Sequence, residues 1–360
     1  MATQLYAREL KEKLGRHDTF LLDVRTPEEY SAWSIKGSVN IPASTLRESL
    51  KKIPKDKEVI TICAHGIRSK AAAEMLTAMG YTAHSVLGGM AAWNSVYDTV
   101  SLNAETGYRV LQVRRLGKGC IGYLIVSNGE AAVIDPTAHI GEFVKIATQL
   151  NCRISKVLDT HQHADHVSGA RVLADEAGAQ LFLNPLDSYR FAGFTPLKDK
   201  YLLRVGSVDI EAIHTPGHTK GSMSFLIHDK LLITGDTLFV DGIARPDLRE
   251  KSGEFAADLF STYHDKLLSL DGSTRILPGH FNAQDELPLG TPLSALLGDV
   301  RKKIKIFDLS KSEFVKALRN VPPKPPHYEE ILKINKGEAP FNEDAADELE
   351  EGPNRCVMKV

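Results

Sequence analysis

Four short polar motifs, each directly after an apolar run, constrain this chain more than any other feature. They are DTHQHADH (159–166), TPGHT (215–219), TGDTL (234–238) and LPGH (277–280). Together they carry His161, His163, Asp165, His166, His218, Asp236 and His280. A residue that follows a strand sits at the edge of its sheet. Strand ends can converge on one site where layered sheets share an edge. Imidazole and carboxylate groups suit zinc or iron. A lone histidine is ordinarily a satisfied surface or core residue; five histidines and two aspartates in such motifs read as a metal site.

The rest of the chain divides into two blocks. In the first, FLLDV (20–24), VITIC (59–63) and AHSVL (83–87) read as strands, with helices at 27–33 and 69–79 between them. Strand–helix alternation predicts an α/β domain with a parallel sheet. The second block has strands at 109–116, 120–127, 131–136, 154–160, 181–184, 208–215, 222–228 and 230–236. Helices are expected at 139–150, 253–269, 291–303, 311–319 and 327–335, and another should open near Asp165. This pattern fits an αββα sandwich. The expected organisation is therefore a domain over 1–98, a linker over 99–107, a metal-site domain over 108–342 and a tail over 343–360. PPKPP (322–326) reads as a stiff spacer. The tail carries six acids in the nine residues 343–351 and is expected to be mobile.

Composition excludes several classes. The 360 residues hold 44 basic and 46 acidic side chains, a formal net charge of −2. That balance argues against a nucleic-acid binder with a basic face. No apolar run approaches the roughly 18 residues that span a bilayer, and the charged N-terminal stretch does not read as a signal peptide. Four cysteines, Cys63, Cys120, Cys152 and Cys356, lie far apart, which excludes a disulfide scaffold and points to a reducing, cytoplasmic compartment. Cys120 reads as a packing residue; nothing in the sequence supports a role for Cys152 or Cys356.

Cys63 is different. VITIC-AHGIRS-KAAAEML places it at a strand end before a short loop and a helix. Inward-facing N–H groups and a helix N-terminus favour a thiolate there. Gly66 permits the backbone of a tight cradle, and Arg68 adds a fixed positive charge. Cys63 thus reads as a nucleophile able to carry sulfur as a persulfide, with Arg68 beside it. An isolated cysteine at a strand end would be read as structural; the loop reverses that.

This block resembles a single rhodanese domain. LLDVRTPEEY (21–30), KGSVNIP (36–42), CAHGIRS (63–69) and LGGMAAW (87–93) are similar to that family's landmarks in order. The resemblance implies sulfane-sulfur transfer from thiosulfate or a persulfide through Cys63, with Asp23 and Arg25 as scaffold. Phosphatases of the same fold have a longer loop; here only four residues separate Cys63 from Arg68.

The second block, over roughly 108–290, resembles the metallo-β-lactamase fold superfamily. Two chemistries then compete. A dinuclear zinc site sharing Asp236 would cleave a thioester, as in glyoxalase II. A mononuclear Fe(II) site held by His161, His218 and Asp236 would be a two-histidine, one-carboxylate triad with open positions. GCIGYLI (119–125), GDTLFVDGIARPDL (235–248) and the C-terminal extension resemble the persulfide dioxygenase branch. That resemblance implies one Fe(II) per chain, with His163, Asp165, His166 and His280 orienting the ligands from behind, and Arg245 near the pocket holding substrate. The alternative for Arg245 is a surface salt bridge. The implied partners are a low-molecular-weight thiol persulfide, thiosulfate, sulfite and dioxygen, with no nucleic acid, no membrane and a possible homo-oligomer. Glutathione-using members carry a tyrosine two residues after the fourth histidine; here that position is Asn282, which leaves coenzyme A or bacillithiol open. A non-catalytic persulfide carrier or sensor is the third possibility.

Overall fold

The structure is a computed structural model and describes residues 3–102, 107–246, 252–282, 289–319, 324, 326–354 and 356–359. Among them, the N-terminal block forms a five-stranded sheet. Its strands run in the order Thr3–Leu5, Ala83–Val86, Glu58–Ile62, Thr19–Asp23, Val39–Asn40, and every pairing is parallel. Val59, Ile60 and Ile62 are fully buried, as expected for a strand covered on both faces.

The second block is a sandwich of a seven-stranded and a six-stranded sheet. Its central strands, such as Ile121–Ser127 and Met223–Ile227, are buried along their whole length because each face is covered. In the strand Ile121–Ser127, Tyr123 and Ile125 point into the cluster shared with Phe225, Ile227 and Ile233 of the other sheet. Leu124 and Val126 point outward against Phe143 and Ile146 of the helix Ile140–Gln149. On the far side, Ser252–Ser261, Leu297–Lys303 and Lys311–Ala317 cover the six-stranded sheet. The αββα arrangement read from the sequence is therefore the one observed. No helix among the described residues is long and apolar enough to cross a membrane.

Four local expectations are corrected. The stretch assigned to a linker (99–107) begins as a strand: Tyr97–Leu102 pairs antiparallel with Arg109–Arg115, and its alternating burial hides Val100 and Leu102; residues 103–106 lie outside the described residues. No helix opens at Asp165. The carbonyls of His163 and His166 accept instead from the Asn335 side-chain amide, each at 2.9 Å, and the next helix is Ala170–Ala177. The helix expected over 291–303 starts only at Leu297, because Ala295–Leu296 pairs with the strand Arg275–Pro278. Much of the spacer 322–326 lies outside the described residues.

The fourth correction is the tail. The described residues of the tail, 343–354 and 356–359, are not a free acidic segment. Glu343–Leu349 is a helix capped by Asn342, and Val357–Met358 pairs antiparallel with Ile243–Ala244. Glu350 is fully buried. Its carboxylate pairs with buried Arg115 and accepts from Val167 N at 2.6 Å. Its carbonyl accepts from Lys118 Nζ at 3.0 Å. A run of acids looks solvated in sequence, but one of them is neutralised by an arginine 235 residues away.

The two domains form one packed body. Leu5, Trp33, Ile62, Met90 and Trp93 of the first share a core cluster with Leu116, Ile121 and Tyr123 of the second. Trp33 Nε1 donates to Gly117 O at 2.9 Å, and Arg115 Nε to Asn94 O at 2.7 Å. Glu350→Ala removes the main partner of a buried guanidinium. It is expected to destabilise the fold by about 3 kcal/mol, read as a lowered denaturant midpoint, with earlier proteolysis of the C-terminal segment.

Candidate metal centre and sulfur site

All four histidine and aspartate motifs end at one edge of the sandwich. His161, His163, Asp165, His166, His218, Asp236 and His280 are each at most 2 % exposed. The ligand atoms of His161, His218 and Asp236 lie within 4.8 Å of one another. Asp236 Oδ2 is 3.6 Å from His218 Nε2 and 4.0 Å from His161 Nε2, and none of the three atoms has a hydrogen-bond partner. Buried polar atoms are nearly always partnered. Orphans that converge fit a cation.

The opposite nitrogens explain which atoms are left free. His218 Nδ1 lies 3.0 Å from Arg245 O; a carbonyl only accepts, so the proton is on Nδ1 and the Nε2 lone pair faces the site. Thr160 Oγ1 donates to Asp135 Oδ2 at 2.8 Å and therefore accepts from His161 Nδ1 at 2.9 Å, again freeing Nε2. His163 Nε2 donates to Asp135 Oδ1 at 3.2 Å, which leaves Nδ1 free. Such outer hydrogen bonds fix tautomer and ring orientation. Burial holds the His161 and His218 imidazoles below the usual histidine range, so both are neutral, as ligands must be.

A second group joins Cys120, Asp165, His166 and His280 within 4.8 Å. His166 Nδ1 donates to Asp165 Oδ1 at 3.2 Å and leaves Nε2 free. His280 differs. Its Nδ1 contacts Asp236 Oδ1, and its Nε2 lies 2.8 Å from Asp165 Oδ2, out of line for a hydrogen bond but close enough for an ion pair. Burial opposes its charge, yet Asp165 and Asp236 together hold it well above the usual histidine range. His280 thus sits between two carboxylates, both of which favour its charged form.

Several residues of the site carried no role in the sequence reading. Asp135 ends the strand Glu130–Ile134 in a left-handed conformation (φ 51°) and serves Thr160 and His163 at once. Gly235 (φ 49°) brings the Asp236 turn so close to Thr160 that a Cβ there would lie 2.5 Å from Oγ1. Asp187 accepts from Gln162 N, Thr219 Oγ1 and Gly221 N at 2.8–2.9 Å and ties two ligand loops together. Asp135 at a strand end beside the motif was a usable signal; Asp187 had none. Cys356, which has no supporting context in the sequence, is buried here: burial, then Asp165 and Asp236, push its thiol well above the ordinary range. Arg245 is fully buried rather than part of a surface salt bridge.

The sulfur site stands in the first domain. Cys63 ends the strand Glu58–Ile62, and the helix Ile67–Ala78 starts four residues on, with Gly66 at φ 87° as its N-cap. Cys63 Sγ accepts from Ser69 N at 3.3 Å and donates to Ser69 Oγ at 3.4 Å. Gly89 backs the loop; a Cβ there would lie 2.1 Å from Cys63 O. Arg68 is held by Glu29 through two hydrogen bonds of 2.6 and 2.8 Å, and that pairing pulls Glu29 down to about 2. Asp23 and Arg25 form a buried pair at 2.6 Å, and Arg25 also reaches Trp33 O.

The fold and these two sites define a parallel-sheet α/β domain with a cysteine loop, joined to a sandwich with a candidate metal edge. Residues 6–96 match the rhodanese-like domain family and residues 120–280 the metallo-beta-lactamase superfamily. An uncharacterized protein of Mycobacterium leprae is 33 % identical over 181 residues, 43 % of this chain and 82 % of that one. A hydroxyacylglutathione hydrolase of Anaeromyxobacter dehalogenans is 31 % identical over 180 residues, 50 % of this chain and 68 % of that one. Among solved structures, a metallo-beta-lactamase from Staphylococcus aureus superposes with a TM-score of 0.60 at 27 % identity, covering 66 % of this chain and 75 % of that one. ETHE1 from Myxococcus xanthus superposes with 0.56 at 24 % identity, over 64 % and 97 %, a likeness of fold alone. The chain belongs to the metallo-β-lactamase superfamily and carries a rhodanese-like domain ahead of that fold. Asp135→Asn is expected to weaken metal affinity by roughly 10- to 100-fold, measured by competition with a chelator, with the fold retained.

Proposed function

We propose that this chain is a bifunctional sulfur-metabolism enzyme. Its second domain oxidises the persulfide of a low-molecular-weight thiol, and its first transfers sulfane sulfur through Cys63. The observation that carries the reading is the buried set of orphan atoms on His161, His218 and Asp236. Two imidazoles and one carboxylate with open positions are the donor set of non-haem Fe(II) oxygenases. The sequence resemblance to the persulfide dioxygenase branch and the fused rhodanese-like domain favour the same substrate class.

The net reaction is R–S–SH + O2 + H2O → R–SH + SO3²⁻ + 2 H⁺. The terminal sulfur is oxidised to sulfite and dioxygen is reduced by four electrons. His161, His218 and Asp236 would hold the iron, which supplies open positions for substrate and for the electron transfer to dioxygen. The protein's part is to keep both ligand imidazoles neutral by burial, to set their tautomers through Thr160 and Arg245 O, and to exclude bulk water. Arg245 beside the pocket would bind an anionic group of the substrate thiol. In the first domain, the Cys63 thiolate attacks the outer sulfur of thiosulfate, the S–S bond breaks, and sulfite leaves: Cys–S⁻ + S2O3²⁻ → Cys–S–S⁻ + SO3²⁻. Attack of sulfite on the Cys63 persulfide is the reverse, and would consume the sulfite made next door. A shared intermediate gives the fusion its advantage in local concentration.

A second reading is a dinuclear zinc thioester hydrolase. It is favoured by the hydrolase among the relatives and by the second ligand group at Asp165, His166 and His280. Metal content of anaerobically purified protein, with oxygen uptake on a low-molecular-weight persulfide, separates the two. About one iron per chain with persulfide-dependent oxygen uptake and sulfite release is expected. Two zincs, no uptake and thioester cleavage would establish the hydrolase. The domains divide the labour in a testable way. Cys63→Ser should abolish sulfur transfer from thiosulfate and leave oxygen uptake intact. Asp236→Ala should do the opposite, and oxygen uptake surviving in that variant would remove Asp236 from the ligand set.

A further inference from the structure

The second ligand group is plugged by the chain's own C-terminus. The strap formed by residues 350–354 and 356–359 runs back across the metal edge of the sandwich. It is anchored at one end by the Glu350–Arg115 pair and at the other by Val357–Met358 on Ile243–Ala244. Between these anchors Asn354 points into the second group. Its Nδ2 donates to Asp165 Oδ2 at 2.6 Å. Asn354 is held at both ends: its backbone N donates to Lys118 O at 2.9 Å, which fixes the chain, and its Oδ1 accepts from Cys356 N at 2.6 Å, which orients the amide. It is buried.

The carboxylate it meets is already crowded. Asp165 Oδ1 takes His166 Nδ1, and Oδ2 takes Cys120 Sγ at 3.7 Å and faces His280 Nε2 at 2.8 Å. A metal ion in this group needs a free carboxylate oxygen. The one that faces the group is spent on an amide N–H that cannot swing away without breaking its own two bonds. The facing atoms of the first group are not spent in this way: among the described residues, His161 Nε2, His218 Nε2 and Asp236 Oδ2 have no hydrogen-bond partner.

We propose that the C-terminal strap sets the number of metal ions the chain holds. Asn354, by occupying Asp165 Oδ2, keeps a second divalent cation out of the Cys120–Asp165–His166–His280 group, so that only the His161–His218–Asp236 group is filled. Asn354 is a positioning residue in this scheme and acts on metal count, whichever metal is bound. The inference does not rest on dioxygen chemistry. A chain that held one metal and consumed no oxygen would overturn the functional reading above and leave this one standing.

The test is the stoichiometry of Co²⁺ bound to the full-length chain after equilibration with excess Co²⁺ and desalting, read by elemental analysis. Mn²⁺-loaded samples examined by electron paramagnetic resonance give an independent readout, since two adjacent ions are spin-coupled and one is not. The wild-type chain is expected to retain one equivalent, and Asn354→Ala two, with the coupled signal appearing only in the variant. Asn354→Asp, which matches the side chain in size and replaces a donor by a ligand oxygen, is also expected to bind two. It carries the test if the alanine variant loses its near-ultraviolet circular dichroism. Two equivalents in the wild-type chain would overturn the proposal, and so would one equivalent in a folded Asn354 variant.

Discussion

The pairing of Arg115 with Glu350 is the contact on which the rest of the molecule depends. Both side chains are fully buried, and a charge taken out of water is tolerated only with a partner and satisfied hydrogen bonds. Arg115 gives its remaining donors to Asn94 O, at the end of the first domain, and to Asp347 in the C-terminal helix. Glu350 accepts from Val167 N, just past the histidine motif, and its carbonyl takes Lys118 Nζ. One ion pair thus joins the rhodanese-like domain, the metal loop and the strap, and the desolvation penalty of separating them enforces the arrangement.

The metal edge shows how a buried cluster of titratable groups can be ordered by hydrogen bonds. Asp135 and Arg245 O each fix a tautomer from behind, through Thr160 and His163 in one case and directly on His218 in the other. Burial holds the His161 and His218 imidazoles below the usual histidine range, whereas the two carboxylates around His280 hold it above. Two neighbouring groups built from the same residue types therefore differ in their carboxylates. In one the facing oxygen has no hydrogen-bond partner, and in the other it accepts from Asn354.

The two sites are connected by backbone. Cys63 O and Ala64 O accept from Met90 N and Ala91 N in the short helix Gly89–Trp93. Asn94, next in the chain, reaches Arg115 and Glu350 O. The loop that cradles the sulfur and the strap that covers the metal edge are thus braced on the same short helix. That bracing holds both sites in one rigid frame.

Local pattern alone determined the strand-and-helix succession, because apolar periodicity and the Gly-rich turns are properties of neighbours in sequence. It also marked Cys63, Arg68 and the seven metal-edge residues, since strand-end polar motifs are visible without a fold. Pattern failed where a segment's fate depends on distant partners. Residues 99–102 looked like a linker because half their side chains are polar, yet Arg109–Arg115 recruits them as an edge strand. The acidic tail looked solvated because its neutralising arginine is 235 positions earlier. Asp187, Asn335, Asn354 and Cys356 enter the site only through tertiary contacts, and no spacing rule could reveal them. The tertiary structure also decided which histidine nitrogens are free, because a tautomer is set by the acceptor that the fold brings to the other side of the ring.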